Sequence, residues 1–134
     1  MTISKLAVKS NKRIELIDIT ARVQALISKK GIRQGLCIVY CPHTTAAVTI
    51  NESADPSVRQ DIINKLNELV PENGNYLHAE GNSDAHIKSS LLSCSVAVPI
   101  SNGQLLLGTW QAIYFCEFDG PRNREVIVKL IRDD

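Results

Sequence analysis

The C-terminal half of the chain carries the strongest constraint on its fold: the runs SVAVPI, QLLLGTW, QAIYFCEF and REVIVKL, rich in apolar and β-branched residues, follow one another with only short turns between them. Ser101-Asn102-Gly103 and Asp119-Gly120-Pro121 are turn sequences, so each run reads as a strand. The N-terminal half adds alternating strands at 2–9 and 12–17, LCIVYC after Gly35, and an extended TTAAVTIN. Helices are fewer. One is capped by Asp18 or Thr20, carries Ile19, Val23, Leu26 and Ile27 at helical spacing, and stops at Gly31. A second starts at Asp55-Pro56, carries Ile62, Ile63, Leu66, Leu69 and Val70, and ends at Pro71. The stretch IKSSLLSC is open to either helix or strand. With no regular strand–helix alternation, the expected class is α+β: a mostly antiparallel sheet or sandwich with two main helices packed on it.

At 134 residues, with no linker or repeat, residues 1–134 read as one domain. Lys and Arg number 15 against 14 Asp and Glu, which leaves no general positive field for nucleic acid or anionic lipid. The charged N-terminus lacks a signal-peptide core and no run reaches the ~20 apolar residues of a membrane span, so a cytoplasmic protein without nucleic-acid or membrane partners is expected. Cys37, Cys41, Cys94 and Cys116 lie in apolar runs without CxxC spacing and read as small core residues.

His43, His78 and His86 all stand beside turn-forming or polar residues, where a site assembled on loops would place them. Three imidazoles with an open position make a catalytic type of metal site; a lone histidine is more often structural. Glu80, Asn82 and Asp84, between His78 and His86, read either as supporting oxygens or as a solvated loop. Thr44 and Thr45 are strand formers or ligand-binding hydroxyls, Asp55 is a helix cap near Asn51 and Glu52, and Lys88 offers one more cation. Glu117 and Asp119 precede a tight turn and Arg122 and Arg124 follow it, so the guanidinium groups would project to one side of the exit strand, either as a phosphate clamp or as a surface salt-bridge cluster. Gln111 shares a strand face with Ile113, Phe115 and Glu117, and Trp110 reads as core or subunit interface. Glycine-rich nucleotide loops, HExxH and GxSxG are absent.

The segments CPHTTAAVTINESADPSV, NYLHAEGNSDAHIKSSLL and GQLLLGTWQAIYFCEFDGPRNREV, in this order, closely resemble the YjbQ-like family, described as secondary thiamine-phosphate synthases; the resemblance spans about residue 13 to 131. It implies a β-rich domain with helices packed on it, a homotrimer, and histidines near a subunit boundary. It further implies a site of His43, His78 and His86 with Glu117, Asp119, Arg122 and Arg124, supported by Asn51, Asn82, Asp84 and Gln111. The activity implied joins a pyrimidine-methyl diphosphate to a thiazole phosphate. A histidine-held divalent metal, zinc first and magnesium second, would neutralise the leaving group together with the arginines. The competing expectations are a metal-assisted phosphohydrolase and a trimeric protein that binds a metal or phosphorylated metabolite without turning it over.

Overall fold

The computed structural model describes residues 3–133, so Thr2 of the first expected strand and the last residue lie outside it. Strands β1 (Ile3–Lys9) and β2 (Glu15–Asp18) are followed by helix α1 (Thr20–Lys30), β3 (Gly35–Tyr40) and β4 (Ala46–Glu52). Helices α2 (Pro56–Leu69) and α3 (Ser83–Leu91) then lead into β5 (Ser95–Ser101), β6 (Gln104–Leu105), β7 (Gln111–Glu117) and β8 (Asn123–Arg132). The strands form a five-stranded sheet in the order β1-β8-β3-β5-β6 and a three-stranded sheet in the order β2-β7-β4. Every strand pair is antiparallel. The α+β class is therefore the observed one.

The layers follow from alternation on β7, where every residue from Ala112 to Glu117 is buried. Ile113 and Phe115 enter a core with Cys37, Val39, Val98, Val126, Val128 and Leu130 of the five-stranded sheet and with Val23 and Ile27 of α1. Ala112, Tyr114 and Cys116 point the other way, into a second core with Leu16, Ala47 and Phe118. That second core is covered by Ala85 of α3 and by Ile62, Ile63 and Leu66 of α2. The order of layers is thus five-stranded sheet, three-stranded sheet, helix pair.

Local chemistry sets the helix ends. The Asp55 carboxylate accepts the Ser57 amide at 2.9 Å, with Pro56 opening α2. Gly31 closes α1 at φ 67°, a conformation that suits glycine. Asp18 accepts the Thr20 amide, and the Thr20 hydroxyl accepts the Ile113 amide at 2.8 Å, tying α1 to β7.

Three features differ from expectation. Helices number three among the described residues, because α3 begins at Ser83 within the segment expected as a loop; its buried Ala85 and the Asp84–Lys88 pair one turn apart favour helix there. QLLLGTW contributes only Gln104 and Leu105 as strand, and Leu106 and Trp110 are exposed, which excludes the core role for Trp110. Cys94 is exposed while Cys37, Cys41 and Cys116 are buried.

Phe115, fully buried between the sheets, tests the two-core layering. Phe115→Ala is expected to cost about 3–5 kcal/mol in chemical denaturation, against less than ~0.5 kcal/mol for a change at exposed Gln60.

Candidate functional site

The C-terminal end of β7 and the turn after it bring together Glu117, Asp119, Arg122, Arg124, Thr45 and Asn82 of the expected site residues, but mainly by pairing them with each other. Glu117 is fully buried, and its Oε1 accepts Arg124 Nε at 2.8 Å and the Ser10 hydroxyl at 2.7 Å. Arg124 Nη2 donates to the second carboxylate oxygen and to the Thr45 hydroxyl at 2.8 Å. The Asp119 amide also donates to Glu117 Oε2 at 3.0 Å. Burial pushes the Glu117 carboxyl up, but Arg124, Ser10 and the Asp119 amide outweigh it and hold it below the ordinary value. Glu117, Arg124 and Thr45 are engaged with one another inside the fold, not turned toward a ligand.

Helix α3 repeats the pattern. Asp84, fully buried, accepts both terminal nitrogens of Arg13 at 3.0 and 2.9 Å and Lys88 Nζ at 2.9 Å. Lys88 is equally buried and also donates to Asn67 at 2.8 Å. Burial raises the Asp84 carboxyl, while the Arg13 and Lys88 hydrogen bonds lower it further, for a net depression. Lys88 is therefore not a phosphate cation, and Asp84 is not a ligand oxygen: each neutralises the other inside the fold.

What remains accessible lies at the start of α3. Asp119 Oδ2 accepts Asn82 Nδ2 at 2.9 Å and Arg122 Nη2 at 3.0 Å, which joins the helix cap to the DGPR turn. Gly120 lets the DGPR turn pack against the N-terminal turn, since a Cβ there would fall 2.3 Å from the Lys12 carbonyl oxygen. The Arg122 side chain stays half-exposed, unlike Arg124. Residues 122 and 124 thus diverge, one outward and one inward, and do not form the expected clamp. Asn82 Oδ1 is buried without a hydrogen-bond donor. Beside Asn82 opens a cleft of about 440 Å³ lined by Asn75, Tyr76, Leu77, His78, Ser83, His86 and Ile87. There His78 and His86 meet edge to face, their ring centroids 5.5 Å apart at 89°, with Glu80 Oε2 3.7 Å from His78 Nε2.

His43 is not part of that pair. Its ring meets Phe115 edge-on at 6.4 Å, and Nε2 lies 3.2 Å from the amide nitrogen and 3.1 Å from the carbonyl oxygen of Glu125, so one of the two satisfies it in either tautomer. Among the described residues no group of three or more His, Cys, Asp and Glu side chains is placed to hold a metal ion, so the expected three-histidine centre is not assembled by one chain. Thr44 is exposed on the same segment. Asn51 and Gln111 lie at the opposite end of the β4–β7 pair from Glu117, where Gln111 accepts the Gly108 amide at 2.8 Å and so shapes the loop before β7.

Sequence reasoning missed Ser10 and Arg13. Both sit in an N-terminal turn remote in sequence from the partners they serve, 107 positions away for Ser10 and 71 for Arg13, and no local pattern marks them.

The family model for UPF0047 protein YjbQ-like matches residues 4–133. A UPF0047 protein of Methanocaldococcus jannaschii is 57% identical over 129 residues, covering 96% of this chain and 94% of its own length. The UPF0047 protein YugU of Bacillus subtilis is 50% identical over 127 residues, covering 94% and 96%. Among solved structures, an uncharacterized conserved YjbQ/UPF0047 protein of Clostridium acetobutylicum superposes with a TM-score of 0.94 at 50% identity, over 96% of this chain and 99% of that one. A protein of unknown function from Sulfolobus solfataricus gives 0.93 at 31% identity, over 98% and 96%. These names carry the family and no activity. The expected thiamine-phosphate synthase assignment is corrected accordingly: relatives this similar are described only as UPF0047 proteins or as of unknown function.

Removing one partner of the Glu117–Arg124 pair leaves a buried charge, so Arg124→Met is expected to cost about 3–5 kcal/mol in denaturant titration. Because the Glu117 and Asp84 carboxyls are depressed by folding, their stabilisation is complete above the unfolded range near ~4 and is lost as pH falls through their lower folded values. Unfolding midpoints recorded from pH ~6 downward should fall below pH ~4 in the wild type and less steeply in Glu117→Gln.

Proposed function

The chain belongs to the UPF0047 protein YjbQ-like family, and we propose that it is an enzyme performing acid–base chemistry on a small phosphorylated molecule in the cleft at the start of α3. The observation that carries this reading is the His78–His86 pair, two partly exposed imidazoles in contact inside a concave site, beside a half-exposed arginine anchored at the same helix cap. Imidazoles exchange protons near neutral pH, and a pair held together supplies a donor and an acceptor. Arg122 offers the phosphate contact: its Nε and Nη2 donate to Asp119, which fixes the guanidinium while half of the side chain stays open to solvent. A helix N-terminus favours an anion, and α3 begins with Ser83 in the lining of this cleft.

The cofactor proposed is a divalent cation, zinc in preference to magnesium. Two adjacent imidazoles suit zinc, whereas magnesium asks for oxygen ligands. His78 and His86 would supply two positions, the others falling to water, the substrate or a second copy of the chain. When bound, such an ion polarises an oxygen of the substrate; the chain's own residues hold the phosphate and move the proton.

The assembly proposed is a homotrimer. Its support is the outer face of the five-stranded sheet, where Leu36, Ile38, Tyr40, Ile127 and Ile131 alternate with the core residues of β3 and β8 and remain partly or fully open. A cytoplasmic setting agrees with four free cysteines. No helix among the described residues is long and apolar enough to cross a membrane.

The test is a panel of phosphorylated metabolites followed by phosphorus NMR, with and without added zinc. His86→Gln is expected to reduce kcat by about 100-fold or more. Arg122→Ala is expected to raise KM about tenfold, equivalent to one charged hydrogen bond, with kcat little changed. No turnover across the panel, together with phosphate binding unchanged in Arg122→Ala, would sink the reading.

A further inference from the structure

The exposed cysteine, Cys94, stands opposite a second cysteine. Pairing of β3 with β5 runs from Gly35 opposite Ile100 to Tyr40 opposite Ser95, so the next facing residues are Cys41 and Cys94. The Cys41 amide donates to the Cys94 carbonyl at 2.7 Å, which continues the ladder by one step. Facing residues on antiparallel strands send their side chains to the same side, with Cα atoms ~5.5 Å apart in a hydrogen-bonded pair. That separation falls inside the ~4.4–6.8 Å range a disulfide spans. The pair closes the end of the ladder, with Cys41 on its buried side and Cys94 reached by solvent, and the Ser93 hydroxyl bonds the Ser95 backbone on both sides of Cys94.

We propose that Cys41 and Cys94 are a reversible thiol–disulfide pair that closes in response to hydroperoxide. Cys94, the one exposed cysteine among the described residues, is the sulfur that meets the oxidant. Its sulfur attacks the peroxide O–O bond, becoming sulfenic acid while the other oxygen leaves as water or alcohol after taking a proton. The Cys41 sulfur then attacks the sulfenic sulfur, forming the S–S bond; the departing hydroxide takes the Cys41 proton and leaves as water. Two thiols are oxidised and one peroxide is reduced. A cellular dithiol reverses the step by exchange.

The position of Cys41 gives this chemistry a consequence. Its sulfur contacts the His43 amide, and only Pro42 separates the two residues. Burial opposes ionisation of Cys41, while the His43 amide and the Arg124 guanidinium favour it, and the charge of a Cys94 thiolate acts on it directly. Closing the bridge draws the Cys41 sulfur toward Cys94 and away from the His43 amide. The oxidised state therefore changes the segment that holds the His43 ring against Glu125.

The experiment treats the full chain with stoichiometric hydrogen peroxide, then counts thiols and maps disulfides with fragmentation that separates Cys37 from Cys41 and Cys94 from Cys116. Expected are a drop from four free thiols to two, an intramolecular Cys41–Cys94 link reversed by dithiothreitol, and a shift of the His43 ring-proton resonance. Cys94→Ser, an exposed change that leaves the fold intact, is expected to lose the link and the resonance shift together. Cys94 recovered as sulfinic acid with Cys41 still a thiol, or a Cys94–Cys94 bond between chains, would overturn the pairing. A Cys41–Cys94 link that leaves the His43 resonance in place would overturn its effect on that segment.

Discussion

A strand buried on both faces can tolerate a charged residue only if a partner of opposite charge is delivered to it inside the protein. β7 is such a strand, and it ends on Glu117. The carboxylate is met by Arg124 from β8, in the other sheet, with Ser10 and the Asp119 amide completing its hydrogen bonds. Arg124 is in turn held by the Thr45 hydroxyl at the start of β4. One ion pair thus joins the two sheets at the end where the DGPR turn leaves, and it fixes the position of Asp119 two residues later. Asp119 orients Asn82 and Arg122, so the geometry at the start of α3 depends on a network buried beneath it.

The same logic explains why charge-bearing motifs overstate the candidate site. An ionisable residue in a polar run is visible in a sequence, but whether it faces a ligand or a buried counter-charge depends on partners far along the chain. Lys88, Asp84, Glu117 and Arg124 are each legible as unusual, and each is consumed by an internal pair. Helix α3 shows the local version of the problem. Glycine, asparagine and serine before it favour a loop, yet Gly81 at φ 78° and Asn82 form only the entry, and burial of Ala85 against the second core decides the helix. The long helices and the strand-rich C-terminal half are legible because periodicity and capping are local signals. The two-sheet layering is legible only in part: β7 reads as one apolar run, and nothing in the run itself says that its two faces serve different cores.

The histidines separate by the same criterion. His43 shares with His78 and His86 a place beside a turn, but its neighbours are backbone atoms of β8 and the ring of Phe115. Its place is set by the sheet, and the chain by itself does not bring it to the other two.

The remaining pair is asymmetric. His86 projects from a helix pinned through Ala85, Asp84 and Lys88 to the second core, so its backbone has little freedom. His78 belongs to a segment between Val70 and Ser83 that is almost wholly exposed and is held largely by its own contacts, such as the Tyr76 hydroxyl on the Pro71 carbonyl and the Tyr76 amide on Gly74. A site built from one rigid and one adaptable imidazole can keep its proton chemistry constant on the helix side while the loop side adjusts to the ligand. Leu77, fully exposed beside His78, belongs to the adaptable half. On the proposed reading, selectivity for the non-phosphate part of a substrate therefore falls to residues 75–78, and the anchoring of its phosphate to Arg122 and the α3 entry.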